Sequence, residues 1–347
     1  MDYKIIDGHN DTVLKIAEEG VEAFFNTNGK GHLDLPRALK GGMGGGFFAI
    51  YTPDQTKMPN MEDHQTAKGY ALPLSPPVDE SYSLAFTENM FKLLKEAENL
   101  SEGSFELVTS VQKLVNCLEE DRLAGILHIE GAEAIDPEFK RLHHFYEQGL
   151  RSLGPVWSRP NIFGEGVPYQ FPSSPDTGPG LTQSGRQLVK ECNKLGIMLD
   201  VSHLNEKGFW DLAAISDAPI VATHSNAHAL CPISRNLTDQ QLDAIQASGG
   251  VVGVTYSLNM LKENGDIDLD VHLSEVTKHI YYIADRIGID HVALGSDFDG
   301  ATIPNTIKDA AGVPKLFDQL KKEGFKEQDF YKISHQNWLR VLNQTWK

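Results

Sequence analysis

Eight short apolar runs, alternating with stretches of helical spacing, leave few folds open to this chain. The runs cover 4–12, 47–51, 124–131, 150–157, 197–203, 219–225, 250–256 and 291–297. Between them apolar residues recur every three or four positions, as on the buried face of a helix. Val13, Ile16 and Ala17 do so after the first run, and Ala85, Met90, Leu93 and Leu94 within 83–99. Strands that alternate with helices are joined by crossovers and lie parallel. Eight strand–helix units are the number that closes a (β/α)8 TIM barrel. An open doubly wound sheet is the alternative, but no G-x-G-x-x-G follows the first run, which removes its dinucleotide-binding form. The expected fold is therefore α/β, one barrel domain over 1–347, with long Pro-rich or Pro/Gly-rich loops at 52–82 and 158–181. Thr182 reads as the N-cap of the next helix and Gly196 as its stop. The Gly run at 41–46 reads as close helix-to-strand packing, because no Lys-Ser/Thr follows it as a phosphate loop requires.

Composition narrows the partners. Asp plus Glu outnumber Lys plus Arg by 48 to 31, a formal charge of −17 with no basic tract to offset it. Nucleic acid and anionic membrane are poor partners for such a surface. No run reaches the roughly 18 apolar residues of a membrane span, and the N-terminal run is too short for a secretion-signal core. Cys117, Cys192 and Cys231 are odd in number, widely spaced and without a C-x-x-C pair. That pattern fits reduced thiols in a cytoplasmic protein.

Five of the eight runs end in side chains able to bind a metal: His9 and Asp11, Glu130, His203, His224 and Asp297. Each alone has a plain structural reading, and 7–11 reads equally well as a hydrogen-bonded strand cap or as a ligand pair. In a barrel all C-terminal strand ends share one face, so these residues converge. Imidazole and carboxylate without thiolate suit Zn, or Mn, Fe or Co, better than Ca. Three His with two or three carboxylates exceed the four ligands of one tetrahedral zinc, and two metals sharing a carboxylate are the economical arrangement. Glu130 could lie between a His9/Asp11 pair and a His203/His224 pair. His128 and Asp7, each placed by alternation one layer deeper on the same face, read as supporting residues. No Lys ends the fourth run, so no carbamylated lysine is expected.

In their order, these residues resemble peptidase family M19, the membrane (renal) dipeptidases and their bacterial homologues, in the amidohydrolase superfamily. The resemblance is carried by His9-Asn10-Asp11, Ile129-Glu130-Gly131, Asp200-Val201-Ser202-His203, Thr223-His224-Ser225, Ser234-Arg235-Asn236 with Asp239, and Gly295-Ser296-Asp297-Phe298-Asp299-Gly300. It implies a metal-dependent hydrolase barrel with two Zn2+ per chain, one on His9 and Asp11, the other on His203 and His224, with Glu130 bridging. It implies that Arg235 binds a substrate's C-terminal carboxylate, which suits a guanidinium fork. The implied reaction is hydrolysis of dipeptides by a metal-bridging hydroxide, whose proton Asp297 takes and passes to the leaving amine. The partner is then a small-molecule dipeptide, and the family's habit of dimerising makes a homodimer the expected assembly.

One position departs from the family. Its members commonly carry a His, in a Thr-His-Ser context, at the end of strand four, where this chain has Pro155-Val156-Trp157-Ser158-Arg159-Pro160-Asn161. Trp157 stands in its place, able to donate one hydrogen bond but not to take up a proton. Arg159 or Asn161 could add the missing substrate contact. The family's membrane anchor and secretion signal are not in this sequence, so an intracellular, bacterial-type member is expected. Two rival readings stay open: a binuclear amidohydrolase acting on N-acyl amino acids or lactams, and a non-catalytic metal-binding barrel.

Overall fold

The computed structural model describes residues 3–27, 30–56, 59 and 61–347. Eight parallel strands follow in chain order: β1 Ile5–Asn10, β2 Met43–Tyr51, β3 Leu123–Glu130, β4 Leu150–Gly154, β5 Met198–Leu199, β6 Val221–Ala222, β7 Val251–Val254 and β8 Val292–Leu294. They pair from β1 through β2, β3 and β4 to β5 on one side, and through β8 and β7 to β6 on the other. A parallel bridge between Asp200 and Val221, with Val201 N donating to Val221 O at 2.9 Å, joins β5 to β6. The ring is closed into the (β/α)8 barrel that the alternation required.

The ladders are shorter than most of the apolar runs. Only Met198–Leu199 of 197–203 and Val221–Ala222 of 219–225 are strand. The residues beyond them give their amides to side chains: Thr223 N to Asp200 Oδ1 at 2.9 Å and His224 N to Ser202 Oγ at 3.1 Å. His203 and His224 therefore stand on the lip of the barrel, just past the strands. β2 is longer than expected and absorbs Gly44–Gly46, where a Cβ on Gly44 or Gly45 would crowd Leu118 or Leu114 of the helix Val111–Glu119. A three-residue strand that the pattern did not reveal, Phe105–Leu107, pairs with the start of β3 below the reach of β4.

Below the lip the barrel is filled by Ile6, Phe47, Ala124, Ile126, Met198, Val221, Val251 and Ala293, closed underneath by Trp338. Trp338 comes from the last helix, Asn337–Thr345, is fully buried, and donates its indole N–H to Leu294 O at 3.2 Å. Any side chain at Gly8 would collide with that indole, so β1 passes it only as glycine. Outside the ring, Thr182 caps the helix Gln183–Leu195 by accepting from Gly185 N, and Gly196 ends it at φ +75°.

The two long loops meet. Gln65–Thr66 and Gly69–Ala71 form a hairpin whose second strand pairs antiparallel with Gln170–Phe171. Residues 57, 58 and 60 of the first loop lie outside the described residues. Gln170 also exchanges hydrogen bonds with Ser234, its N–H to Ser234 Oγ and its carbonyl from Ser234 N, both at 3.0 Å. This small sheet holds the segment that carries Arg235. Among the described residues no helix is long and apolar enough to cross a membrane.

Candidate metal centre

Simple alternation does not place the first ligands. Ile6 and Gly8 face the barrel axis, which would turn Asp7 and His9 away from it. The register of β1 on β2 shifts between Asp7 and Asn10, and this step lets His9 reach the mouth while Asp7 stays aside. The expectation that Asp7, His9 and Asp11 share one face is corrected on this ground. Its supporting role holds: Asp7 braces the end of β8, accepting from Ser296 N at 2.7 Å and Ser296 Oγ at 2.8 Å. Burial pushes its carboxyl up to about 6 against those hydrogen bonds.

Glu130, the last residue of β3, is the centre of the cluster. Its Oε1 lies 3.0 Å from His203 Nε2, 3.4 Å from His224 Nε2 and 3.6 Å from His9 Nε2. His9 Nε2 is 3.5 Å from Asp11 Oδ2, and the Nε2 atoms of His203 and His224 are 3.1 Å apart. All five residues are buried. Asp297 sits at φ +62° just beyond β8, its N–H bonded to His9 O at 3.0 Å. A Cβ on Gly300 would collide with Asp11 Oδ2 and stand 2.6 Å from Asp297 Oδ1, so both carboxylates press on the same turn. The structure thus brings together all six residues that the strand ends offered.

The far side of each ring is anchored. His203 Nδ1 meets Ser158 Oγ at 2.9 Å, His224 Nδ1 meets Thr223 Oγ1 at 2.9 Å, and His9 Nδ1 lies 3.5 Å from the same hydroxyl. Each ring is thereby turned to present Nε2 to the centre, the arrangement that metal-binding imidazoles require. Asp200 is near enough to His9 and His224 to complete a ligand triplet. Its oxygens already accept from Ser202 N, Ser202 Oγ, Thr223 N and Thr223 Oγ1, so it organises the lip. His128, held on Ser152 Oγ at 2.8 Å and pushed down to about 3 by burial, is a neutral packed residue, as its depth suggested.

These residues fit a metal on two physical grounds. His9 Nε2 and Glu130 Oε1 are buried with no hydrogen-bond partner, a rare condition unless another group completes them. The charges are also unbalanced. Burial pushes Glu130 up to about 8, with His9 opposing and Asp11 and Asp297 adding to the rise. Burial likewise lifts Asp297 to about 6. His9 would be driven down by burial, but Glu130, Asp11 and Asp297 together hold it up at about 10. Carboxylates outnumber cations here, and divalent cations would correct that.

Gly300→Ala is expected to push Asp11 out of place and lower activity by about 10- to 100-fold. Metal analysis should show reduced occupancy, with the unfolding temperature of the metal-free protein little changed. Full occupancy at full activity would show that the turn can yield.

The residues expected to touch substrate divide. Arg235 is buried, with Nη2 donating to His203 Nε2 at 3.1 Å and Nη1 donating to Ser202 O. Trp157 lies against the centre, its ring 5.8 Å from His203 and 4.6 Å from Tyr51. Arg159 is fully buried, ion-paired with Asp54 at 2.9 Å and bonded to Tyr51 OH at 3.0 Å, so it supports the aromatic wall. Asn161 spends its amide in its own loop, donating to Pro155 O and accepting from Phe163 N and Gly164 N. The expectation of a substrate contact from Asn161 is corrected accordingly. Sequence reasoning missed Tyr51 and Tyr169. The signal for Tyr51 was its place at the end of β2; Tyr169, in an irregular loop beside Arg235, offered none.

A closed parallel barrel with three imidazoles and several carboxylates converging at its C-terminal mouth defines a metal-dependent hydrolase of the amidohydrolase-like type. The chain belongs to peptidase family M19: the family model described as membrane dipeptidase (peptidase family M19) matches residues 1–347. An uncharacterised protein in the pqqA 5′ region of Klebsiella pneumoniae is 49% identical over 255 residues, covering 74% of this chain and 94% of its own. The crystal structure of the dipeptidase AC, a metallopeptidase of family M19, superposes with a TM-score of 0.94 at 45% identity, covering 100% of this chain and 99% of the other. A metallopeptidase from Rhodobacter sphaeroides, liganded with a phosphinate mimic of the dipeptide L-Ala-D-Ala, gives 0.95 at 45% identity, covering 99% of both chains.

Proposed function

We propose that this chain hydrolyses dipeptides with a free C-terminal carboxylate, with two zinc ions held by His9 and Asp11 and by His203 and His224, and Glu130 shared. The observation that carries this reading is one carboxylate oxygen within 3.6 Å of three imidazole nitrogens from three different strand ends. Bound zinc would supply a water whose pKa falls to about 7 and an electrophile for the scissile carbonyl. Asp297, which shares the Gly300 turn with Asp11, would then be placed to take a proton from that water and return it to the departing amine. With His203 Nε2 holding metal, Arg235 would no longer donate to it, and its fork would be free for the substrate carboxylate. Trp157 and Tyr51 wall the site and exclude water. The phosphinate dipeptide mimic bound by the Rhodobacter sphaeroides relative supports a dipeptide as the substrate here. The buried, unpaired thiols of Cys117, Cys192 and Cys231 support a reducing, cytoplasmic setting, and the whole chain acts as one catalytic barrel.

A zinc-supplemented screen tests the reading, with L,L- and L,D-dipeptides, their C-terminal amides, and N-acyl amino acids as substrates. Free-acid dipeptides should be cleaved and the amides largely spared. Faster cleavage of the N-acyl amino acids would give preference to the rival amidohydrolase reading.

A further inference from the structure

We infer that Tyr51 is a further catalytic residue of this site, donating a hydrogen bond from its phenol to the oxyanion that forms at the scissile carbonyl. The inference rests on the dipeptidase reading and adds to it a donor drawn from the protein itself. Tyr51 ends β2 in direct register with Glu130 on β3. In-register neighbours on parallel strands project to the same face, so the phenol rises from the mouth beside the shared carboxylate.

The phenol's hydrogen-bonding capacity is only partly used. Its oxygen accepts from Arg159 Nη2 at 3.0 Å. A hydroxyl has one hydrogen and two lone pairs; with the guanidinium on the oxygen, the hydrogen is what Tyr51 has left to give. Among the described residues no side chain or carbonyl is hydrogen-bonded to receive it. A cation on the oxygen also polarises the O–H and makes it a stronger donor.

The surroundings fix the group before substrate arrives. Arg159 lies 4.8 Å from the centre of the Trp157 ring and 5.2 Å from that of Tyr51, and Asp54 holds its other side. Trp157 packs on Tyr51 and on His203, so the phenol, the indole and a metal-binding ring form one wall. A donor held in place in this way needs no reorganisation when charge develops, the condition under which oxyanion stabilisation is effective.

Tyr51→Phe removes only the hydroxyl. The expected result is a fall in kcat of about 100-fold with KM within about threefold. Affinity for a phosphinate dipeptide mimic should fall by the same factor as kcat/KM, while zinc content and unfolding temperature stay at wild-type values. A kcat within about threefold of wild type would overturn the proposal. So would a rate loss matched by loss of zinc. The wild-type rate in the same assay bears on the dipeptidase reading, and the ratio of variant to wild type bears on Tyr51.

Discussion

Glu130→Gln should fold normally, hold fewer than two zinc ions per chain, and lose at least about 1,000-fold in kcat/KM. Glu130 Oε1 stands within 3.6 Å of all three Nε2 atoms, the position that the proposed shared ligand requires. Gln keeps the shape and removes the charge. An amide oxygen binds a divalent cation far more weakly than a carboxylate, and on the proposed two-metal reading both positions would lose a ligand at once. The metal-free fold should not suffer, because burial already pushes the Glu130 carboxyl up to about 8 and a neutral amide avoids that desolvation. Zinc should therefore raise the unfolding temperature of wild type by mass action and raise that of the variant much less. Thermal unfolding with and without zinc, together with metal analysis and a dipeptide rate, measures all three effects. A variant with two bound zinc ions and a rate within tenfold of wild type would remove Glu130 from the centre of the account.

Arg235→Ala should raise KM for free-acid dipeptides by about 100-fold, the scale of truncating one partner of a buried charge pair. Its effect on kcat should be smaller, because the proposed carboxylate contact would be made in the ground state as well as the transition state. The residue is buried beside His203, with Tyr169 close to its guanidinium. Burial lifts the Tyr169 phenol to about 12, while the guanidinium opposes that rise. C-terminal amides, which cannot form the ion pair, should be affected far less, so the preference for free acids should collapse. Arg235→Lys should fall between the two, since it keeps the charge and loses the fork. Unchanged discrimination between acids and amides in Arg235→Ala would show that another group reads the carboxylate.

Much of this molecule was legible because barrel strands are buried on both faces and read as apolar runs even when short. The two-residue ladders of β5 and β6 would be invisible to a strand count, yet the flanking Ile197 and Ile220 extended their runs enough to be seen. His203 and His224 were legible for the complementary reason: polar side chains that close an apolar run need a physical cause. What stayed hidden depends on pairing over long distances. The register step that turns His9 toward the mouth leaves no trace in the alternation of β1. The hairpin at 65–71 is short and mostly exposed, and its partner Gln170–Phe171 lies about a hundred residues on. Asn161 looked like a free polar group because nothing local announces that its amide ties its own loop. Tyr51 looked like the last residue of a buried strand, and its role emerges only with Glu130 beside it and Arg159 on its oxygen.

The most direct test of the account is a zinc titration of metal-free protein, reading bound metal and release of free amino acids from L-Ala-D-Ala in the same samples. Hydrolysis that rises with occupancy, levels off at two equivalents per chain and disappears with chelator is the predicted result. Two tightly bound equivalents without turnover of any free-acid dipeptide, or turnover that persists with well under one equivalent bound, would contradict it.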